Sequence, residues 1–214
     1  MQATDVSRIT VLGAGSMGHG IAELAAMAGY DVAVRDIEDD LVQDGIDQIE
    51  WSLDKLEEKG NLDEPAADVL ARVDGTTDLP DAVADADFVV EAVPERMDLK
   101  KKTFSEVDEH APDEAIIASN TSGLSITEMA SATDRPAQVL GTHFFNPPVK
   151  MDLVELVHGE ETSEETVETA ETLMEEFGKN PIHVKKDVHG FVVNNVMMPF
   201  LEEPAWMLDA DETT

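Results

Sequence analysis

The sequence contains no cysteine in its 214 residues. This absence excludes disulfide bonds, thiolate metal sites and a cysteine nucleophile, so any catalysis has to use other side chains or a cofactor. Long apolar runs are also absent. The hydrophobic residues, 42% of the total, fall in short segments, well below the roughly 18 residues that span a bilayer. With no signal-peptide pattern at the N-terminus either, we expect a cytoplasmic protein without a membrane segment.

Basic residues are scarce. The chain has 14 lysines and arginines against 47 aspartates and glutamates, for a net charge of −33. Such a charge opposes nucleic-acid binding. Its self-repulsion destabilises a compact state at low salt, whereas molar salt shortens the screening length to about 3 Å. We therefore predict a halophilic protein from a salt-rich cytosol, in preference to an ordinary acidic protein.

A strand, a glycine-rich turn and a helix open the chain. A β-branched run predicts a strand over 8–12, and the apolar spacing after the turn is helical. Between them, Gly13, Gly15 and Gly18 permit a tight turn and close approach of a pyrophosphate, whose charge the helix N-terminus favours. A second strand over 31–35 completes the unit. This context predicts a dinucleotide-binding βαβ unit rather than a purely structural glycine turn.

Asp36 ends the second strand, about 20 residues beyond the turn, where an acidic side chain accepts hydrogen bonds from the adenosine ribose. A 2′-phosphate at that place would meet its negative charge. NAD is therefore the predicted cofactor rather than NADP, although the adjacent Arg35 is a residue type that binds such a phosphate. Ser16 and Met17, which lie between the glycines, complete the predicted contacts of the turn.

The following segments alternate between helical and strand patterns. The predicted segments are helices over 38–56, 66–70 and 99–110 and strands over 88–92, 115–119 and 139–143. The first two helices form an excursion off the sheet. The alternation predicts an α/β fold with a doubly wound, Rossmann-type, mostly parallel sheet.

The pattern changes near residue 189. Before it, the predicted elements are a strand over 153–157, an acidic helix over 164–177 and a short strand over 182–184. These complete an NAD-binding domain predicted to span 1–188. An apolar helix starts at Phe191, so 189–214 is predicted to be the first helix of a truncated all-α domain. A helix with so much apolar surface needs a partner, either a second copy of the chain or a separate helical protein.

Polar side chains follow two of the predicted strands. Residues 119–122, Ser-Asn-Thr-Ser, come directly after a buried strand, at the edge where doubly wound sheets bind ligands, although a polar turn or helix cap has the same composition. His143 ends the next strand, where a lone histidine is usually structural. Glu155 lies inside an apolar run, where an unpaired carboxylate is costly. We therefore expect Glu155 and His143 to pair.

A strand-end histidine, a buried carboxylate and an NAD turn together suit hydride transfer coupled to proton transfer at a carbinol. With these features, the sequence resembles the L-3-hydroxyacyl-CoA dehydrogenase family, which includes bacterial 3-hydroxybutyryl-CoA dehydrogenases. The segments that carry the resemblance are 13–21, 90–95, 119–122, 143–147, 153–155 and 190–194. They occur in order across nearly the whole chain.

The resemblance implies reversible, NAD-dependent oxidation of an L-3-hydroxyacyl-CoA to a 3-oxoacyl-CoA, as in fatty acid β-oxidation or butanoate metabolism. It implies that His143 is the general base and that Glu155 orients it. The physical chemistry agrees, since a carboxylate bound to one imidazole nitrogen fixes the tautomer and leaves the other nitrogen facing the hydroxyl.

The resemblance also implies roles for other polar residues. Ser122 and Asn194 are expected to hold the substrate oxygen or to position the histidine. Glu95 and Lys100 are expected beside the cofactor, although Lys100 opens a lysine triplet that equally suits a solvated helix start. Asn146 is expected near the nicotinamide and the thioester. No metal is expected.

Two residues depart from the family pattern. His189 stands where the family usually has proline, and Asn195 where it has arginine. Family members also continue for another small helical domain. An alternative function is therefore an NAD-binding module, or an inactive fragment that needs a separate helical partner. A dehydrogenase of free β-hydroxy acids shares the glycine turn, but such enzymes typically use a catalytic lysine instead of a histidine–glutamate pair.

Overall fold

The computed structural model describes residues 5–209, which form one sheet with helices packed against it. The strands are β1 (Arg8–Leu12), β2 (Asp31–Arg35), β3 (Val73–Thr76), β4 (Phe88–Glu91), β5 (Ile116–Ser119), β6 (Val139–Phe144), β7 (Leu153–His158) and β8 (Asn180–Val184). The helices are α1 (Gly18–Met27), α2 (Asp39–Glu58), α3 (Ala66–Leu70), α4 (Leu79–Val83), α5 (Met97–His110), α6 (Ile126–Ala130), α7 (Glu164–Glu176) and α8 (Val193–Asp209), with a 3₁₀ turn at Pro136–Gln138.

Within residues 5–209 the strands follow the order β3-β2-β1-β4-β5-β6-β7-β8. Every neighbouring pair is parallel except β6 and β7. The prediction of a doubly wound, mostly parallel sheet is confirmed. The chain changes direction across the sheet between β1 and β4, which creates the switch point where such sheets bind ligands.

Alternation along the central strands builds a core on each face of the sheet. On β4, Phe88 and Val90 pack into the core formed with α1, α2, α3 and α7, whereas Val89 packs into the core formed with α4, α5 and α6. Successive strand side chains point to opposite faces, so a strand covered on both sides is apolar throughout. The predicted helical excursion is α2 and α3, which join β2 to β3 and bury Ile49 and Leu53 in the first core.

Besides the 3₁₀ turn, three short elements are additional to the sequence prediction. The edge strand β3 contains Gly75, whose added Cβ would lie 2.5 Å from Val42 Cγ1 of α2, so a close helix approach selects glycine there. Helices α4 and α6 have only five residues each, which gives a weak helical period, although the equally short α3 was predicted. Aspartate and serine are preferred N-cap residues, so Asp78 and Ser125 were a sequence signal for the starts of these helices. Each side chain accepts a hydrogen bond from the backbone N–H three residues further along the chain.

The last helix exposes apolar side chains along its length. Phe200 is 75% exposed, and Val196 and Trp206 are each 70% exposed. The helix begins at Val193 rather than at the predicted Phe191, because the φ of Phe191 is 52°, in the left-handed region. No helix within residues 5–209 combines the length and hydropathy needed to cross a membrane. The domain boundary at 188 and 189 stays a prediction.

Glu23 is a buried carboxylate on the helix that follows the glycine turn. It is 1% exposed and accepts a hydrogen bond from Ser52 Oγ of α2 at 2.7 Å. Burial raises the pKa of Glu23 from 4.5 to about 7, against the effect of the Ser52 hydroxyl. Because the folded pKa is above the unfolded one, protonation stabilises the fold fully below pH 4.5, and this contribution is lost as the pH rises through 7.

We therefore expect Glu23→Gln to unfold at a higher temperature than the parent chain at pH 8. The gain is up to about 3 kcal/mol, at about 1.4 kcal/mol per pKa unit, and it shrinks as the pH is lowered to 5.5. Thermal unfolding at one fixed salt concentration measures the effect. Glu50→Gln removes the same charge from an exposed position of α2 and is the control. Equal melting temperatures of Glu23→Gln and the parent at pH 8 would contradict the argument.

Candidate active site

The glycine turn joins β1 to α1 with almost no space for side chains. Gly13 has φ 104°, and an added Cβ there would lie 2.7 Å from the Ala92 carbonyl oxygen. An added Cβ on Gly18 would lie 1.6 Å from the Gly13 oxygen. At Gly15, by contrast, nothing lies within 4 Å of the added atom. Gly13 and Gly18 thus close the turn, and Gly15 leaves its backbone open to a ligand.

Asp36 lies beside this turn, as the sequence predicted. Its Oδ2 accepts a hydrogen bond from Ala14 N at 2.8 Å and its Oδ1 accepts one from Ile37 N at 2.7 Å. Each oxygen keeps a second lone pair for a ribose hydroxyl. The Nε of the neighbouring Arg35 donates to the Thr77 carbonyl oxygen at 3.1 Å. Arg35 is therefore anchored to the β3–α4 connection, while Asp36 is held at the turn.

A cavity of about 590 Å³ lies at the carboxyl ends of the strands around the switch point. The predicted cofactor residues that line it are Gly13, Gly15, Ser16, Met17, Asp36, Glu95 and Lys100. Gly18 acts from within the turn and does not line it. Asn146 also lies outside it, exposed on the loop after β6. The cavity brings the two halves of the predicted cofactor site, residues 13–36 and 95–100, to one place.

Lys100 is held by protein groups at the edge of this cavity. It is 1% exposed, and its Nζ lies 2.7 Å from Glu91 Oε1 and 3.3 Å from Glu95 Oε2. The other oxygen of Glu91 accepts from Ser119 Oγ at 2.7 Å. The sequence prediction missed Glu91, although a glutamate in the apolar run of β4 carries the same signal that identified Glu155.

Glu95 connects the lysine to the segment after β5. Its Oε1 accepts hydrogen bonds from Thr121 Oγ1 at 2.5 Å and from Ser122 N at 3.0 Å. The adjacent Asn120 also lines the cavity, and its Oδ1 accepts from Phe144 N at 2.9 Å. The predicted polar segment 119–122 is therefore a connector between the cavity and the end of β6, where His143 lies.

His143 and Glu155 form the predicted pair. The antiparallel register places them opposite each other on β6 and β7, so their side chains share a face. The distance from His143 Nδ1 to Glu155 Oε2 is 2.7 Å, with the two residues 5% and 0% exposed. The histidine ring also packs against Phe145, at a centroid distance of 4.6 Å.

The second oxygen of Glu155 holds the start of α8. Oε1 accepts hydrogen bonds from Val192 N and Val193 N, both at 2.9 Å. Burial alone would raise the pKa of Glu155, but the hydrogen bonds from His143, Val193 and Val192 outweigh it and hold the pKa below its usual value. An ionised carboxylate can only accept, so Nδ1 of His143 carries the proton and Nε2 is left as the base.

A second cavity, of about 520 Å³, lies between residues 122–124 and α8. Glu95 and Ser122 line both cavities, so the two adjoin. Asn194 lines the second cavity and donates from Nδ2 to the Ser122 carbonyl oxygen at 3.0 Å. The structure thus brings Ser122 and Asn194 together, and their roles toward the substrate stay a prediction. His143 lines neither cavity.

The two residues that depart from the family pattern brace the turn before α8. His189 Nδ1 lies 2.9 Å from the Gly123 oxygen. Asn195 Nδ2 donates to the carbonyl oxygens of His189 at 2.7 Å and Phe191 at 2.6 Å.

Within the part of the chain that the structure describes, no group of histidine, aspartate and glutamate side chains could hold a metal ion.

A cavity at the switch point that is lined by the glycine turn and Asp36, together with a histidine held by a buried carboxylate, is the arrangement of an NAD-dependent dehydrogenase. The family model described as "3-hydroxyacyl-CoA dehydrogenase, NAD binding domain" matches residues 8–188. The chain belongs to the 3-hydroxyacyl-CoA dehydrogenase family, as its sequence motifs indicated, and its cofactor is NAD.

Individual relatives agree with this assignment. The chain is 45% identical over 193 residues to a probable 3-hydroxybutyryl-CoA dehydrogenase of Deinococcus radiodurans, covering 90% of this chain and 69% of that protein. It is 38% identical to the mitochondrial hydroxyacyl-coenzyme A dehydrogenase of Sus scrofa, covering 92% and 65% respectively. The crystal structure of (S)-3-hydroxybutyryl-CoA dehydrogenase from Ralstonia eutropha superposes with a TM-score of 0.93 at 41% identity, covering 98% of this chain and 74% of that one.

Proposed function

We propose that this chain oxidises L-3-hydroxyacyl-CoA to 3-oxoacyl-CoA with NAD⁺ and catalyses the reverse reduction, in fatty acid or butanoate metabolism. The observation that carries the proposal is the His143–Glu155 pair, at 2.7 Å and nearly inaccessible to solvent. Glu155 also holds the start of α8, and Asn194 of that helix lines the second cavity.

Proton transfer is the task of His143. Its Nε2 takes the proton of the substrate hydroxyl, and the Glu155 carboxylate stabilises the imidazolium that forms. Bound NAD⁺ supplies the acceptor for the hydride from C3 of the substrate. In the reverse direction the imidazolium returns the proton to the carbonyl oxygen. In the oxidation, the proton and the hydride thus have separate acceptors, His143 and NAD⁺.

The remaining polar residues hold the two ligands. Asp36 binds the adenosine ribose through the free lone pairs of its carboxylate and disfavours a 2′-phosphate. The Ser122 side chain, exposed where the two cavities meet, and Asn194 hold the substrate oxygen. Glu95 and Lys100 shape the cofactor side, and Asn146, exposed on the loop after β6, would contact the nicotinamide and the thioester when both ligands are bound.

Turnover of the purified chain tests this function directly. Acetoacetyl-CoA and NADH are supplied at high salt, with longer 3-oxoacyl-CoA substrates in parallel, and NADH oxidation is followed. NADH binding without turnover, restored by a separate helical protein, would instead support the NAD-binding module. The observation that favours this alternative is the set of exposed apolar side chains on α8. These side chains are the surface on which we propose that a second copy of the chain or a separate helical partner packs.

A salt-rich cytoplasm is the proposed setting of this enzyme, on the basis of its net charge of −33. We expect the melting temperature to rise steadily from 0.1 M to 2 M KCl, because salt screens the repulsion between carboxylates. A gain of roughly 3 kcal/mol corresponds to about 6–12 °C for a chain of this size. A melting temperature that falls on adding salt would contradict the halophilic assignment.

A further inference from the structure

A buried lysine fastens the loop between β6 and β7, which spans 145–152. Lys179 follows the end of α7 and is 7% exposed. Its Nζ donates to the carbonyl oxygens of Pro148 at 2.7 Å and Met151 at 3.1 Å. A buried ammonium is costly unless its donors are engaged. The side chain therefore joins the α7–β8 connection to two points of the loop.

The same loop contacts both halves of the active site. At one end, Phe145 packs against the ring of His143. Further along, the buried Pro148 lies against α1, where an added Cβ on Gly20 would be 3.1 Å from its Cδ. Because α1 begins at the glycine turn, a shift of this loop changes the position of the histidine relative to the cofactor.

We propose that Lys179 is a positioning residue for the dehydrogenase reaction, acting through the loop 145–152 on the alignment of His143 with the cofactor. The inference rests on the proposed function. A displacement of about 1 Å at a reacting centre can cost up to about 100-fold in rate. Loss of the two hydrogen bonds from Nζ is expected to allow such a displacement, because an apolar side chain at position 179 leaves the carbonyl oxygens of Pro148 and Met151 without this donor.

Lys179→Met tests the proposal, because methionine has a similar shape without the donors. We expect kcat at saturating substrates to fall at least about tenfold while the KM for NADH stays within about twofold, since misalignment affects the reacting atoms and not the adenosine site. Lys179→Arg keeps the charge and the donors and is expected to recover most of the loss. Lys150→Met removes an exposed lysine from the same loop and is expected to keep the parental kcat.

Gly20→Ala perturbs the same loop through its contact with α1, on the side away from Lys179. The added methyl group presses on Pro148, while alanine favours a helix by about 1 kcal/mol over glycine, so the fold is retained and kcat is expected to fall. This variant decides the question if Lys179→Met does not fold. Parental kcat in folded Lys179→Met, or in Gly20→Ala when that is the variant available, would overturn the proposal.

If the parent chain shows no turnover, the proposed function of the chain alone fails, and hydrogen exchange in the loop tests Lys179 separately. Lys150 N and Met151 N both donate to the Pro147 oxygen, at 3.0 and 3.1 Å. Loss of Lys179 is expected to speed exchange of these two amides by at least about tenfold. Unchanged exchange in Lys179→Met would show that the lysine does not fasten the loop.

Discussion

Replacing Glu155 with glutamine is expected to lower kcat by about 10³–10⁴-fold, the loss that follows when a catalytic histidine is held in the wrong tautomer. The reason lies in the two different tasks of the carboxylate. One oxygen binds His143 Nδ1, and the other binds Val192 N and Val193 N. A glutamine can keep only one of these sets of contacts in its present form.

The two backbone N–H groups require an acceptor, so the amide oxygen of the glutamine has to face α8. Its NH₂ group then faces His143 and donates to Nδ1, which must accept. The neutral imidazole consequently carries its proton on Nε2 and cannot remove the hydroxyl proton. Because every hydrogen bond is still made, we expect the melting temperature to change little.

Steady-state turnover in both directions and thermal unfolding measure these two effects. Glu155→Ala is the informative comparison, because it also leaves Val192 N and Val193 N without their acceptor and should lower the melting temperature as well. The KM for NADH is expected to stay near the parental value in Glu155→Gln. A kcat for Glu155→Gln within tenfold of the parent would contradict the tautomer argument.

The pairing of His143 with Glu155 could be predicted because an apolar run tolerates a carboxylate only if it has a partner. The antiparallel register that creates the pair was not predictable, since strand order depends on packing between distant segments. The same limit applies to the contact between Glu155 and the start of α8, which joins residues 37 and 38 positions apart. It also applies to Lys179, which reads as an ordinary lysine after a helix-ending glycine.

The fold itself was more accessible to prediction, because buried apolar strands and the glycine turn have strong local patterns. The strand β3 was not predicted because aspartate and glycine interrupt its apolar pattern. Lys100 shows a different limit. Its sequence position indicated a place beside the cofactor, but only the structure shows that its ammonium is bound to Glu91 and Glu95.

Replacing His143 with glutamine is expected to lower kcat by about 10²–10⁴-fold in both directions, the usual contribution of a general acid–base group. Oxidation needs a group that accepts the hydroxyl proton, and reduction needs the same group to return it. Glutamine performs neither proton transfer, so the rate is expected to fall in both directions.

Turnover in both directions at fixed high salt, with NADH binding and thermal unfolding measured on the same samples, distinguishes this role from a structural one. NADH affinity is expected to persist, because the cavity formed by the glycine turn and Asp36 does not include His143. His110→Gln is the matched control, since His110 is exposed at the end of α5. A His143→Gln chain that binds NADH and keeps the parental rate would place the acid–base group elsewhere.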